Sequence, residues 1–117
     1  MMHTILVIDD NLPTLTTLCM ILNTNGYCAI EAQDAEGAER KFRDNPVDML
    51  LVDHGLPGIS GSEVARHLKE IRNVLVVMLS GSPELKETPA DIDLLLPKPC
   101  PVRDLLSAIG DLFDSDR

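Results

Sequence analysis

Two textures alternate along this chain. Short unbroken apolar runs end on an acid, a serine or a proline. Between them lie longer stretches in which apolar residues recur every three or four positions. Thr4 to Ile8 is the first run, stopped by Asp9-Asp10. An apolar run without alternation suits a strand buried on both faces of a parallel sheet. Asn11 then offers an N-cap and Pro13 fits a first helical turn. Leu15, Leu18, Cys19 and Leu22 fall at helical spacing, and Asn25-Gly26 is a stop signal. Tyr27 to Ala32 predicts a second short strand. Asp34 caps a helix whose Ala35, Ala38 and Phe42 share a face, and Asn45-Pro46 ends it. Met49 to Val52 is a third run, apolar without alternation and closed by Asp53. A Gly/Pro-rich loop from His54 follows. Ser60 and Glu63 make a capping-box pair at the start of a helix with Val64, Leu68 and Ile71 on one face. Val74 to Leu79 is a fourth run, stopped by Ser80-Gly81. Ile92 to Leu96 is a fifth, just before Lys98. From Val102, apolar residues recur at Leu105, Leu106, Ile109, Leu112 and Phe113, an amphipathic helix.

Strand and helix therefore alternate throughout, which predicts an α/β domain: a parallel five-stranded sheet with helices on both faces. In such a sheet all carboxyl ends of the strands lie on one edge, where ligands sit. Four polar groups end strands here: Asp9-Asp10, Asp53, Ser80 and Lys98. Each has an ordinary reading by itself. An acid pair can start a helix, Asp53 can cap a turn, Ser80-Gly81 can be a strand-end turn, and Lys98 can be a solvated turn residue. Their coincidence at four strand ends carries more information than any one of them.

Length and charge narrow the picture. The 117 residues predict one domain, residues 1–117, with 44% hydrophobic residues to build its core. Aromatics are 3% of the chain and the formal net charge is −9, which argues against direct nucleic-acid binding and against anionic membranes. Cys19, Cys28 and Cys100 are scattered, without metal-type spacing, which predicts reduced thiols in a cytoplasmic protein. No run reaches membrane-spanning length, so no membrane insertion is expected, and Thr4 to Ile8 is too short for a signal peptide's apolar core. His3, His54 and His67 lack partners at metal-ligand spacing and read as surface or interface residues.

Three carboxylates brought together repel one another unless a cation is present. Carboxylates with a backbone carbonyl and waters suit Mg²⁺. An aspartate can act as a nucleophile and carry a phosphoryl group. Lys98 and the Ser80 hydroxyl offer a positive charge and a donor to an oxyanion, which together with a metal is what in-line phosphoryl transfer needs.

Ile8-Asp9-Asp10, then Asp53 with Leu56-Pro57-Gly58 and Gly61, then Ser80-Gly81, then Lys98-Pro99, resembles the receiver domain of two-component response regulators. The resemblance spans essentially the whole chain. It implies a doubly wound, flavodoxin-like sheet of order 2-1-3-4-5. It also implies that Asp53 accepts a phosphoryl group from the phosphohistidine of a sensor histidine kinase or phosphotransfer protein. By the same resemblance Asp10 and Asp53 ligate Mg²⁺, Asp9 acts through water and the Gly55 carbonyl contributes. Lys98 pairs with Asp53 or the phosphoryl group, Ser80 turns inward to a phosphoryl oxygen, and the Lys98-Pro99 bond is cis. The expected activity is that of an acceptor with slow self-hydrolysis at most, not a turnover enzyme, and it switches binding of a downstream protein target.

Two features depart from the family. The position three before the lysine, usually Tyr or Phe, is Leu95. The connection from Ser80 to Lys98 is short, with Pro83 and Pro89 inside it, which predicts a shortened or missing fourth helix. Output is then expected through the first helix or the loops around Asp53. No DNA-binding or catalytic segment follows the last helix before Arg117, so the leading expectation is a phosphoacceptor module by itself. The alternatives are a receiver-like module that signals without phosphorylation, which Leu95 keeps open but the complete set of site residues weighs against, and a Mg²⁺-dependent phosphatase. The phosphatase reading is weakened because Asp53-His54-Gly55 lacks the second acid of an Asp-x-Asp pair.

Overall fold

The computed structural model describes residues 2–81 and 90–115. Its elements run β1 (Thr4–Ile8), α1 (Leu12–Thr24), β2 (Cys28–Ala32), α2 (Ala35–Asp44), β3 (Met49–Asp53), α3 (Gly61–Ile71), β4 (Leu75–Ser80), β5 (Leu94–Pro97) and α4 (Val102–Ser115). The strands form one parallel sheet of order β2-β1-β3-β4-β5. The expectation of a shortened or missing helix between β4 and β5 concerns residues 82–89, which lie outside the described residues.

The apolar runs of β1, β3 and β4 prove to be strands covered on both faces. Leu6, Ile8, Leu50, Val52, Val76 and Met78 pack against Ala38 and Phe42 of α2 and Val64, Ala65 and Leu68 of α3. Their neighbours Ile5, Val7, Met49, Leu51, Val77 and Leu79 pack on the other face, against Leu15, Cys19 and Leu22 of α1 and Leu105, Ile109 and Phe113 of α4. Successive strand residues point to opposite faces, so two helical layers leave no position for a polar residue in the buried part of β1, Ile5 to Ile8, or the inner part of β3. The three cysteines are free thiols, and burial pushes that of Cys19 up to about 11.

The helix starts are those the sequence signals. The Asn11 side chain accepts the Thr14 N–H at 3.0 Å, Asp34 accepts that of Gly37 at 2.7 Å, and Ser60 accepts that of Glu63 at 3.2 Å. These bonds satisfy donors that a helix leaves unpaired in its first turn. α1 stops where Gly26 turns the chain at φ +91°, a conformation that costs any residue with a Cβ. At the C-terminal end of α2, the Arg72 guanidinium lies 4.2 Å from the centre of the Phe42 ring. The same group donates to the Phe42 and Asn45 carbonyls at 2.8 and 3.0 Å.

Three strands are offset by a residue or two from the sequence pattern. β2 begins at Cys28, β4 runs from Leu75 through Ser80, and β5 starts at Leu94 rather than Ile92. The last offset has a visible cause. The Asp93 carboxylate accepts the Val76 N–H at 2.7 Å, a donor that a backbone carbonyl of a longer β5 would take.

Register brings the strand ends into line. Ile8 pairs with Ala32 and Val52, Asp53 with Leu79, and Ser80 with Pro97. Asp9, Asp53, Ser80 and Lys98 therefore meet at one edge.

Candidate functional site

β1 delivers Asp9 to this edge still in ladder geometry, its N–H donating to the Ala32 carbonyl at 3.1 Å. The side chain is 1% exposed. One carboxylate oxygen, Oδ1, accepts the Asn11 N–H at 2.9 Å. The other, Oδ2, is buried and accepts no hydrogen bond from the described residues. Its nearest cation is Lys98 Nζ at 3.6 Å. Asp10 is exposed, having stepped off the strand. At the end of β3, Asp53 accepts a hydrogen bond from Lys98 Nζ through Oδ1 at 3.0 Å. Asp9, Asp10 and Asp53 each present a carboxylate oxygen, and these three atoms lie within 4.8 Å of one another.

Lys98 is held from its own backbone. Its N–H donates to the Ser80 carbonyl at 3.0 Å, which continues the β4–β5 ladder by one residue, and its bond to Pro99 is cis. Ser80 is buried as the last residue of β4. Gly55 lies two residues past Asp53, in the loop that leads to α3, with open space where a Cβ would stand. The structure thus gathers Asp9, Asp10, Asp53 and Lys98 into one cluster, with Ser80 and Gly55 at its border. The histidines stay out of it. His3 stacks on Phe113, and His67 of α3 pairs with Glu39 of α2. The His54 backbone N–H continues the ladder to the Leu79 carbonyl at 2.9 Å.

The electrostatics follow from this packing. Burial raises the Asp9 carboxyl above its ordinary value, with the charges of Asp53 and Asp10 adding to the rise; the Asn11 N–H and Lys98 oppose it. For Lys98, burial works against the charged form, but the hydrogen bond it donates to Asp53 and the charges of Asp53 and Asp9 outweigh it and hold the ammonium above its usual range. Among the described residues, one buried carboxylate oxygen without a donor, three clustered acids and a single ammonium make a centre short of positive charge. Hard oxygen ligands of this kind fit a small divalent cation such as Mg²⁺. The arrangement can also hold the oxygens of a tetrahedral anion against Lys98.

Residues 5–110 match the family model of the response regulator receiver domain. The chain belongs to that family. Among curated proteins, the receiver domain is 36% identical over 87 residues to the phosphate regulon transcriptional regulatory protein PhoB of Escherichia coli, covering 72% of this chain and 38% of that protein. It is 34% identical over 77 residues to the aerobic respiration control protein ArcA of the same organism, covering 66% of this chain and 32% of ArcA. The receiver domain thus spans about a third of the length of these relatives. Its fold matches a CheY-like receiver domain protein from Methanospirillum hungatei with a TM-score of 0.91 at 27% identity, covering 98% of this chain and 96% of that one. It also matches the response regulator TrrA of Thermotoga maritima, solved in complex with Mg²⁺-BeF, with a TM-score of 0.86 at 26% identity, covering 95% and 99% of the two chains. The order 2-1-3-4-5 implied by the sequence resemblance is the order observed. No helix among the described residues is long and apolar enough to cross a membrane.

Sequence reasoning gave no role to the Asn11 backbone N–H, which holds Asp9. Its signal was present, because an N-cap residue directly after the acid pair places its own amide there. The contact of Gly61 with the backbone of Asp53 was also missed. It is visible only when α3 is seen against the end of β3.

Proposed function

We propose that this receiver domain accepts a phosphoryl group on Asp53 from the phosphohistidine of a sensor kinase or phosphotransfer protein, and thereby switches the binding of a downstream protein. One observation carries the reading: Lys98 Nζ sits 3.0 Å from Asp53 Oδ1, beside two further carboxylates. An Asp53 oxygen attacks phosphorus, the bond from phosphorus to the imidazole nitrogen breaks, and the imidazole leaves with the electron pair. The Lys98 ammonium then faces an added negative charge and balances it. The Ser80 hydroxyl, at the same edge, donates to a phosphoryl oxygen. Asp10, Asp53 and the Gly55 carbonyl would hold Mg²⁺, with Asp9 acting through water. The acid cluster and the unbonded Asp9 Oδ2 support this, as does the Mg²⁺-BeF complex of the TrrA neighbour. When bound, the metal neutralises charge on the transferring group.

On this reading the chain is a cytoplasmic acceptor rather than a turnover enzyme, and it meets proteins rather than nucleic acid, in keeping with a net charge of −9. Acetyl phosphate with Mg²⁺ should add one phosphoryl mass to the intact wild type and none to Asp53→Asn, which keeps the shape and removes the nucleophile. Equal uptake by both would refute the assignment. Absence of uptake by wild type would leave the phosphorylation-independent module that Leu95 keeps open, and sustained release of phosphate from general esters would indicate a phosphatase.

A further inference from the structure

Gly61 belongs to the motif that identifies the family, yet it bears no group that could bind or react. It is the first residue of α3 and it is buried. Its N–H donates to the His54 carbonyl at 3.0 Å. A Cβ built on it would stand 2.3 Å from the Asp53 carbonyl oxygen, 3.0 Å from the Asp53 carbonyl carbon and 3.0 Å from the His54 Cα. Gly61 is not at a positive φ. What requires glycine here is therefore space, against the backbone of the residue that carries the site's central carboxylate.

The overlap cannot be relieved cheaply from the helix side. Val64, Ala65 and Leu68 seat α3 in the core, and Lys69 ties its far end to Asp93 at 3.3 Å. Arg72, the residue after α3, donates to the carbonyls of Phe42 and Asn45. The strand side is softer at one place. β1 pairs with β3 only as far as Val52, whereas Asp53 is paired with β4 alone. The Asp53–His54 peptide is thus the first in β3 to lie outside the double ladder, and it is the one a Cβ would push. The Asp53 carboxylate is two bonds from the Asp53 Cα, so a shift of its peptide reaches the contact with Lys98 directly.

We propose that Gly61 is a positioning residue: the missing side chain lets α3 fix the Asp53 peptide, and so the carboxylate, at hydrogen-bonding distance from Lys98. This rests on the phosphoacceptor reading for its consequence in rate, but its geometric content stands apart from it. A displacement of about 1 Å at a reacting group can cost roughly 100-fold in rate.

The test is Gly61→Ala, measured at low temperature with the folded fraction fixed by circular dichroism. Uptake from saturating acetyl phosphate and Mg²⁺ should fall about 10- to 100-fold per folded molecule. The half-saturating acetyl phosphate concentration should stay within about twofold, since displacing a nucleophile acts on the chemical step rather than on substrate binding. In parallel, the NMR signals of the Asp53 carboxylate carbon and the Lys98 ammonium should move. These signals report the pair whether or not the chain is phosphorylated. If wild type takes up no phosphoryl group, the phosphoacceptor reading fails while the NMR shifts still decide the role of Gly61. Should Gly61→Ala be too unstable, it is paired with Gly110→Ala, which favours the α4 helix and whose Cβ meets only the Tyr27 hydroxyl at 3.9 Å. Uptake within twofold of wild type, unmoved signals, or a double variant that still does not fold would overturn the proposal.

Discussion

Lys98→Met removes the ammonium and keeps much of the apolar stem. In metal-free buffer it leaves Asp53 without its 3.0 Å partner and Asp9 without its 3.6 Å one. A hydrogen bond to a charged group contributes about 1.5–3 kcal/mol net. A third of the Lys98 side chain meets solvent, which screens the pair, so the low end applies. The expected loss is about 1.5–2 kcal/mol, or roughly 5–10 °C in melting temperature for a domain of this size. Mg²⁺ should then close most of the gap. Lys98 and a divalent cation compete to neutralise the same three carboxylates, so the variant should bind Mg²⁺ about tenfold more tightly, worth about 1.4 kcal/mol. At saturating Mg²⁺ that extra affinity appears as added folding stability. Thermal denaturation of both proteins in chelator and in a Mg²⁺ series measures each term. Melting temperatures within 2 °C of each other in chelator (about 0.5 kcal/mol), or a gap that Mg²⁺ leaves unchanged, would show that Lys98 does not neutralise this cluster.

Further outcomes follow from single features. Burial raises the Asp9 carboxyl, so its contribution to folding is fully present below the ordinary value of 3.8 and is lost as pH rises through the higher folded value; in metal-free buffer wild type should therefore lose stability relative to Asp9→Asn across that window, and parallel denaturation curves would contradict this. Gly26→Ala, at φ +91° with open space around it, should cost about 1–2 kcal/mol in denaturant unfolding and leave phosphoryl uptake unchanged. Phe42→Ala empties a fully buried site under Arg72 and should cost about 3–5 kcal/mol; a loss under about 1 kcal/mol would mean that α2 is not seated as described.

Much of the fold is legible because parallel strands buried on both faces leave a plain trace. Ile5 to Ile8 and Met49 to Val52 have no polar residue to misread, and Asn11, Asp34 and Ser60 announce their helices by local chemistry. The strand-end polar groups were legible for the same reason, since a residue that interrupts an apolar run must lie where the run meets solvent. What the chain does not spell out is anything set between distant segments. Asp9 and Asp10 are chemically identical neighbours, yet one is 1% exposed and the other stands in solvent. Pairing with β2 keeps Asp9 in the sheet and turns Asp10 out, and pairing partners are not written in two adjacent letters. β5 starts later than the apolar pattern suggests because the Asp93 carboxylate, rather than a backbone carbonyl, takes the Val76 N–H, a contact between segments that the pattern does not show. Leu95 pairs with Met78 and packs half-buried toward α2 and α3, where the family usually carries a ring.

The places that break local rules fall together. A buried carboxylate ordinarily has its lone pairs filled by donors; Asp9 Oδ2 does not. A helix ordinarily gains nothing from glycine at its first position, where proline and the common helix formers do better; α3 begins with Gly61. Neither choice improves the stability of the unliganded fold, and a sequence selected for stability alone would have removed both. Each becomes intelligible when referred to Asp53. The charge deficit at Asp9 is a deficit of cation beside the Asp53 carboxylate, and the vacancy at Gly61 lets a helix start fix the Asp53 backbone. Among the described residues, these two departures from local consistency both lie around Asp53, as expected where a site rather than stability sets the choice of residue.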